Sequence, residues 1–213
     1  MLPDIYEALW GEYIKSDLYD DGEIDYKKEG QYYDQGLKYL KEQILDLSEY
    51  EILGVEKVIE FSLTNDDGES YPMIGFIDLL LKDKNTSEII IMDNKSASIK
   101  FKKNGDPYKS DEQHWLEFKR QLYIYSIPFV ENGEEVAYLS WNLFRLGIVK
   151  KIPWRIEEYN EAKAWAIDTI HMIKNDNNWE MKNDFFYCHN LCSLRGECPM
   201  NKPRKEEDDY ASY

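Results

Sequence analysis

The chain has 213 residues, of which 43% are hydrophobic, and its 42 acidic against 26 basic side chains give a formal net charge of −16. This length and apolar content indicate a soluble globular protein with one substantial core. No run approaches the roughly 18 apolar residues of a membrane span, and the N-terminus lacks the pattern of an export signal. We therefore expect a cytoplasmic protein. The acidic balance excludes broad affinity for phosphates unless cations are concentrated locally.

The first part of the chain, residues 1–50, shows a helical pattern that is interrupted near DLYDDGE. In the stretch YDQGLKYLKEQILDL, apolar residues recur at helical spacing. We expect one face of this helix to carry Leu37, Leu40, Ile44 and Leu45.

Strand patterns follow this helical segment. EKVIEFSL and YPMIGFIDLLL are joined by TNDDGES, whose central Asp-Gly is typical of a hairpin turn, and EIIIMDNKS follows after another short turn. A helix is predicted over 112–130, AYLSWNLFRLG alternates like a further strand, and NEAKAWAIDTIHMIK is an amphipathic helix.

This order of elements predicts an α/β (α+β) fold in which helices flank a central mixed β-sheet. We divide the chain into a helical N-terminal segment (1–50), an α/β core (51–155), a C-terminal helix with a cysteine segment (156–200) and a flexible acidic tail (201–213).

Charged residues interrupt two of the predicted strands. Asp78 lies inside the apolar run IDLLL, and Asp93 and Lys95 close the run EIIIM. An ionised carboxylate in an apolar strand is costly unless a cation neutralises it. If the two strands are neighbours, Asp78 and Asp93 converge on an oxygen-seeking ion such as Mg²⁺ or Mn²⁺, and Lys95 shares the face of Asp93. The alternative is an ion pair at a strand end without a metal.

Positive charge is concentrated in residues 95–109, which hold five lysines against one aspartate. Here Lys100, Lys102 and Lys103 are candidates for binding DNA phosphates, and Arg120 in the next helix is another. The alternative is a solvated, flexible loop.

Three motifs together resemble the PD-(D/E)XK nuclease superfamily, and specifically its RecB-like exonuclease branch of phage and CRISPR-adaptation enzymes. They are GFID, DNKS and RQLYIYS. The resemblance implies a restriction-endonuclease-like core in which Asp78 and Asp93 bind the catalytic metal and Lys95 is catalytic. It also implies that Gln121 and Tyr125 lie beside the active site and position DNA. From the residues alone, this pair shares one helix face, which also fits a buried face with one polar exception.

The chain departs from that family near its N-terminus. Relatives carry a G-x-x-x-H motif whose histidine is a further metal ligand, whereas this chain has Gly30 and Asp34 at those positions. The further ligand is therefore Asp34, Glu56 at the start of the first strand, or a residue of a segment that this chain lacks.

The chain's three cysteines form the pattern C-x3-C-x5-C at Cys188, Cys192 and Cys198. In the family, three such cysteines and one N-terminal cysteine hold a 4Fe–4S cluster, so the ligand set is incomplete here. Alternatively, His189 completes a zinc site, or the cysteines are structural and bind no metal.

The resemblance implies a Mg²⁺- or Mn²⁺-dependent DNA exonuclease that acts on free or single-stranded ends. Recombination or DNA-end processing in a phage or mobile element, together with a protein partner, is the expected setting. The alternative is an inactive nuclease-fold protein that serves binding or assembly, which the charge of −16 would suit.

Overall fold

The computed structural model describes residues 2–15, 26–42, 45–96, 99–178, 187–194 and 197–198. The chain divides into two compact units, Met1–Ile170 and His171–Tyr213. Within the described residues, no helix has the length and apolar character needed to cross a membrane.

A five-stranded sheet and helices form the first unit. The helices are α1 (Leu2–Lys15), α2 (Tyr26–Lys41), α3 (Glu112–Glu131) and α4 (Ile156–Asn175), and α4 continues into the second unit. The strands are β1 (Tyr50–Thr64), β2 (Ser70–Asp83), β3 (Ile89–Asn94), β4 (Val136–Leu143) and β5 (Ile148–Pro153).

The strands lie in the sheet in the same order as in the chain. Neighbouring strands are antiparallel except β3 and β4, which are parallel. A parallel pair requires a crossover connection, and α3 provides it. The predicted α/β (α+β) class with a mixed sheet is therefore confirmed.

The two faces of the sheet pack into different apolar clusters, as the alternating residues of β3 illustrate. Its residues alternate between them: Ile89 and Ile91 enter the large core cluster with Leu122 of α3, whereas Ile90 and Met92 enter a smaller cluster on the opposite face. Both faces of β3 are buried, which explains the continuous apolar run in its sequence. The face covered by α3 is the one that carries the candidate site.

The turn residues between β1 and β2 adopt the conformation that their sequence predicts for a hairpin. Gly68 has φ +83, a backbone conformation that glycine adopts without steric cost. The Asn65 side chain accepts a hydrogen bond of 2.8 Å from the Glu69 amide. The hairpin predicted from the central Asp-Gly is confirmed, although β1 begins earlier than its predicted strand.

The other predicted elements are confirmed in part. The helix predicted over 112–130 is α3, and NEAKAWAIDTIHMIK lies in α4. The single strand predicted for AYLSWNLFRLG is wrong at its end, because β4 stops at Leu143 and a turn leads into β5, which was not predicted. The helix α2 ends at Lys41, so Leu45 is not on its face and packs against the smaller cluster instead. Ile44 and the interruption near DLYDDGE lie outside the described residues.

The second unit is described at the end of α4 and around the cysteines. A π-helical turn spans Tyr187–Leu191, and the Cys192 amide donates to the Tyr187 carbonyl at 2.9 Å. The acidic tail predicted over 201–213 lies outside the described residues.

Candidate active site

The register of β2 and β3 brings Asp78 and Asp93 side by side. The ladder pairs Leu79 with Met92 and Leu80 with Ile91, so one further step places Asp78 opposite Asp93. The Asn94 amide donates a hydrogen bond of 2.6 Å to Asp78 Oδ2, which fastens the end of β3 to β2. The register therefore places the two aspartates next to each other on neighbouring strands.

Lys95 connects these carboxylates to α3. Its Nζ atom lies 2.8 Å from Asp93 Oδ2, and it donates a hydrogen bond of 2.9 Å to Gln121 Oε1. The same ammonium lies 4.7 Å from the ring centroid of Phe118, a cation–π distance. The alternation of β3 directs Asp93 and Lys95 to the face beneath α3, where these partners lie.

A hydrogen bond within α3 extends this arrangement. Gln121 Nε2 lies 3.2 Å from the Tyr125 hydroxyl. Lys95 Nζ fixes the orientation of the amide, because only the carbonyl oxygen of Gln121 accepts a hydrogen bond. The five residues singled out from the sequence, Asp78, Asp93, Lys95, Gln121 and Tyr125, therefore form one continuous set.

The electrostatics of Asp93 favour a cation at this place. Burial raises the pKa of the Asp93 carboxyl, Lys95 opposes this shift, and the neighbouring Asp78 adds to it. Asp93 is only 4% exposed. Its Oδ2 faces the Lys95 ammonium at 2.8 Å, and the neighbouring Asp78 adds a second negative charge. Two carboxylates at one partly buried place are natural ligands for a hard cation.

Two carboxylates are a sufficient protein ligand set for Mg²⁺ or Mn²⁺. Within the described ranges, no group of three or more His, Cys, Asp or Glu side chains is arranged to hold a metal ion. Mg²⁺ keeps several waters and is commonly bound through one or two carboxylates together with substrate phosphates. The residues present therefore fit such an ion.

The two candidates for a further ligand do not complete a three-residue group. Asp34 is exposed on α2. Glu56 lies opposite Asp78 in the β1–β2 ladder, between the pairs Val55–Leu79 and Lys57–Ile77, and has a left-handed φ of 49. Its side chain is exposed.

Comparison with known proteins matches the sequence to a family. The family model of the PD-(D/E)XK nuclease superfamily matches residues 5–199. The chain belongs to this superfamily. The solved structure described as "Crystal structure of SSO0001" is 17% identical, with a TM-score of 0.38, over 93% of this chain and 98% of that chain. No curated protein matches the sequence.

Membership of the PD-(D/E)XK superfamily implies a nuclease, a hydrolase that acts on nucleic acid and that generally uses Mg²⁺ or Mn²⁺. The resemblance stated from the motifs is thereby confirmed at the level of the superfamily, and the RecB-like branch stays a prediction. The roles of individual site residues also stay predictions.

The packing around Gly75 explains why the GFID motif carries a glycine at this position. A Cβ atom on Gly75 would lie 2.8 Å from Tyr125 Cε1 and 3.2 Å from Ile59 Cγ1. The Tyr125 ring therefore lies directly against the β2 backbone three residues before Asp78. The motif on β2 and the motif on α3 are coupled by this contact.

We predict that Gly75→Ala lowers the free energy of unfolding by about 1–3 kcal/mol, the usual cost of inserting a methyl group into a filled space. It should also lower nuclease activity, because Tyr125 must move away from Gln121. Denaturant unfolding and an activity assay measure the two effects. Gly11→Ala is a matched control, since a Cβ there meets nothing within 4 Å and alanine favours helix α1.

If the double variant Gly75→Ala/Tyr125→Ala is more stable than Gly75→Ala alone, the clash with the Tyr125 ring is the cause of the stability loss. A single Gly75→Ala variant with unchanged stability and activity would contradict the proposed contact.

The predicted DNA-binding cations lie in two different environments. Lys100, Lys102 and Lys103 are exposed on a loop that is closed by a bridge between Phe101 and Pro107. This loop is ordered by hydrogen bonds such as Lys102 N to Asp106 O at 2.7 Å. Their role in DNA binding stays a prediction.

Arg120 has partners within the protein. Its guanidinium forms a salt bridge with Glu161 of α4 and lies 4.8 Å from the Trp165 ring centroid. A phosphate would have to compete with Glu161 for this arginine, and the predicted role of Arg120 stays a prediction.

Sequence reasoning did not identify the residues that brace the carboxyl ends of β3 and β4. The Lys95 amide donates to the Asn142 carbonyl at 3.0 Å, and Asn142 Nδ2 donates to Asn94 Oδ1 at 2.7 Å. The Tyr39 hydroxyl donates to Asn142 Oδ1 at 2.9 Å. The only signal in the sequence was a polar residue, Asn142, within the strand pattern AYLSWNLF.

The cysteines do not form a metal-binding group in the described part of the chain. Cys188, Cys192 and Cys198 are all partly buried, but neither they nor any other three candidate ligands there are arranged around a metal position. A 4Fe–4S cluster or a zinc ion in this segment stays a prediction, and the side chain of His189 is outside the description.

Proposed function

We propose that the protein is a Mg²⁺- or Mn²⁺-dependent DNA exonuclease that acts on free or single-stranded ends and serves recombination or DNA-end processing. The supporting observation is the continuous set of contacts from Asp93 through Lys95 and Gln121 to Tyr125, beside Asp78. A chain that had lost nuclease function would have no need to keep an ammonium between a buried carboxylate and a helix amide. The resemblance of the α3 motif to RecB-like exonucleases supports the exonuclease type.

Each residue has a role that follows from its surroundings. Asp78 and Asp93 would hold the metal ion, and the chemistry that such an ion supplies is polarisation of the phosphoryl oxygen and a lower pKa of water. The Lys95 ammonium stabilises negative charge that develops on the phosphate during attack. Its orientation needs no rearrangement, because Gln121 and Phe118 already hold it.

Gln121 and Tyr125 act as positioning residues. Gln121 accepts from Lys95 and so keeps the ammonium beside Asp93. The Tyr125 ring lies against the backbone at Gly75, so it fixes the distance between α3 and the strand that carries Asp78. Small displacements at such a site are costly, because catalysis depends on the alignment of reacting groups.

Substrate binding must overcome the protein's own charge. A net charge of −16 repels a polyanionic strand, so binding depends on local cations and on the metal. The exposed Lys100, Lys102 and Lys103 are suited to contact phosphates. Their contribution should weaken as the salt concentration rises.

Digestion of end-labelled DNA tests the proposal. We expect single-stranded DNA, or duplex DNA with a single-stranded end, to be shortened progressively with Mg²⁺ or Mn²⁺, and to remain intact with EDTA. Covalently closed circles of single-stranded or duplex DNA should remain uncut, because an exonuclease needs a free end. Product length against time on a denaturing gel gives the readout.

Two other outcomes would revise the function. Cleavage of closed circles would identify an endonuclease. Metal-independent DNA binding without any cleavage would favour the inactive binding protein, which the charge of −16 also fits.

A further inference from the structure

A second concave site lies between the N-terminal helices and the turn that follows β4. It is a cavity of about 520 Å³ whose lining includes five aromatic side chains. Its lining residues come from α1, α2, the end of β4 and the turn after it, and they include Tyr6, Trp10, Tyr32, Tyr39, Phe144 and Arg145. We call this site the aromatic cleft. None of the roles assigned above uses it.

The aromatic rings of α1 and α2 pack against one another beside the cavity. Tyr6 and Tyr33 lie with ring centroids 5.7 Å apart at an interplanar angle of 18°, and Trp10 lies 5.9 Å from Tyr6. Tyr6 approaches Gly36 so closely that a Cβ there would lie 2.3 Å from its hydroxyl. The close helix packing therefore gives these large rings fixed positions, and planar, fixed rings suit a planar partner.

Among the described lining residues, Arg145 is the one cation. The Arg145 guanidinium is 4.8 Å from the Tyr32 ring centroid, its Nε donates to Gln35 Oε1 at 3.3 Å, and its Nη1 donates to the Ser96 carbonyl at 3.3 Å. These contacts anchor the guanidinium between α2 and the chain just after β3. In a chain with a net charge of −16, a cation held at an aromatic surface indicates an anionic ligand with flat groups.

The aromatic cleft adjoins the candidate active site along the chain. Ser96 lines the cleft and directly follows Lys95, so their Cα atoms are about 3.8 Å apart. Asn142 also lines it, and its carbonyl accepts from the Lys95 amide. Because β3 and β4 are parallel, their carboxyl ends meet at one edge of the sheet. A strand bound at Asp93 and Lys95 can therefore continue over this edge.

We infer that the aromatic cleft binds an unpaired nucleobase of the substrate strand next to the phosphate that is cleaved, an inference that rests on the proposed function. A nucleotide supplies both features that the cleft matches, a flat ring for the tyrosines and tryptophan and a phosphate for Arg145. Stacking on aromatic side chains is tolerant of base identity, since every base has a π-face. Bases of an intact duplex are already paired and stacked, so the cleft confers a preference for single-stranded ends.

The test compares an end-labelled single-stranded oligonucleotide with one of equal length whose terminal nucleotides lack bases. Binding is measured by fluorescence anisotropy in EDTA, which prevents cleavage, at one fixed salt concentration. The phosphates of the two probes are the same, so the difference reports base contacts alone. We expect the wild-type protein to bind the intact probe about 5- to 150-fold more tightly, the range given by one stacked base.

Trp10→Leu removes a ring and keeps apolar bulk, so it should bring the two probes close to equal affinity, and Trp10→Phe should restore most of the difference. Phe76→Leu is the matched control, because Phe76 is an aromatic residue that is 52% exposed in β2 and does not line the cleft. Affinity for a blunt duplex should be the same in all four proteins.

Equal wild-type affinities for the two probes would overturn the inference. This comparison needs no variant, so a folding defect in Trp10→Leu does not affect it. If the protein digests DNA but binds both probes equally, the proposed exonuclease activity stands and the aromatic cleft has no role in base binding. Base discrimination without digestion would keep the cleft and reject the exonuclease.

Discussion

Replacing Lys95 with alanine should lower the rate of DNA cleavage by about 100- to 1000-fold, the usual loss when one preorganised charge-stabilising group is removed. Asp93→Ala should lower it below detection, because Asp93 is the partner of Lys95 and is also a proposed metal ligand. The fold should persist in both variants. Lys95 lies just beyond the end of β3, and Asp93 is its penultimate residue, so neither lies in the middle of the apolar core.

The measurement is the initial rate on labelled DNA at saturating Mg²⁺ or Mn²⁺, with the circular dichroism spectrum as a check of folding. Asp66→Asn and Lys84→Gln are matched controls, since both residues are exposed in turns. They should keep the wild-type rate. A Lys95→Ala variant with more than about a tenth of the wild-type rate would remove this lysine from the mechanism.

Lys95→Arg separates charge from geometry. Arginine keeps the positive charge, but its planar guanidinium cannot repeat the contacts of a compact ammonium. We expect only partial rescue, because Lys95 is within contact distance of Asp93, Gln121 and Phe118 at once. Full rescue would mean that charge alone is sufficient.

The sequence predicted the parts of the fold that local patterns determine. The β1–β2 hairpin follows from Asp-Gly between two apolar strands, and α3 follows from helical spacing. The end of β4 was wrongly predicted because Phe144 and Leu146 continue the alternation through what is in fact a turn. The Leu146 amide donates to the Leu143 carbonyl at 2.9 Å, and this turn bond leads into β5.

The candidate site was predictable where a charged residue broke an apolar run. Asp78 and Asp93 were conspicuous for that reason, and their register follows from pairing the two runs. Contacts across long chain separations were not predictable from the residues alone. Gln121 is 26 residues from Lys95, and Tyr39 is 103 residues from Asn142. The aromatic cleft combines α1, α2 and the turn after β4, so no local pattern indicates it.

The ionisation of Asp93 links the site to stability. Burial and Asp78 raise the pKa of this carboxyl more than Lys95 lowers it, so folding disfavours its charged form. Above its folded pKa the carboxylate therefore destabilises the metal-free protein. Below the pKa of an unfolded aspartate, about 3.9, it is protonated in both states and contributes nothing. A bound divalent cation should reverse the penalty, because it neutralises the charge.

We therefore predict that Asp93→Asn raises the melting temperature of the metal-free protein at neutral pH, by about 2–4 °C for each kcal/mol relieved. In this variant Lys95 loses its ion pair but keeps its contacts with Gln121 and Phe118. The removal of a buried negative charge therefore outweighs the loss of the ion pair. The gain should disappear as the pH falls towards about 4, where wild-type Asp93 is protonated as well. Mg²⁺ or Mn²⁺ should raise the melting temperature of the wild type and not of Asp93→Asn. A variant that is less stable than the metal-free wild type at neutral pH would show that the pair with Lys95 outweighs burial.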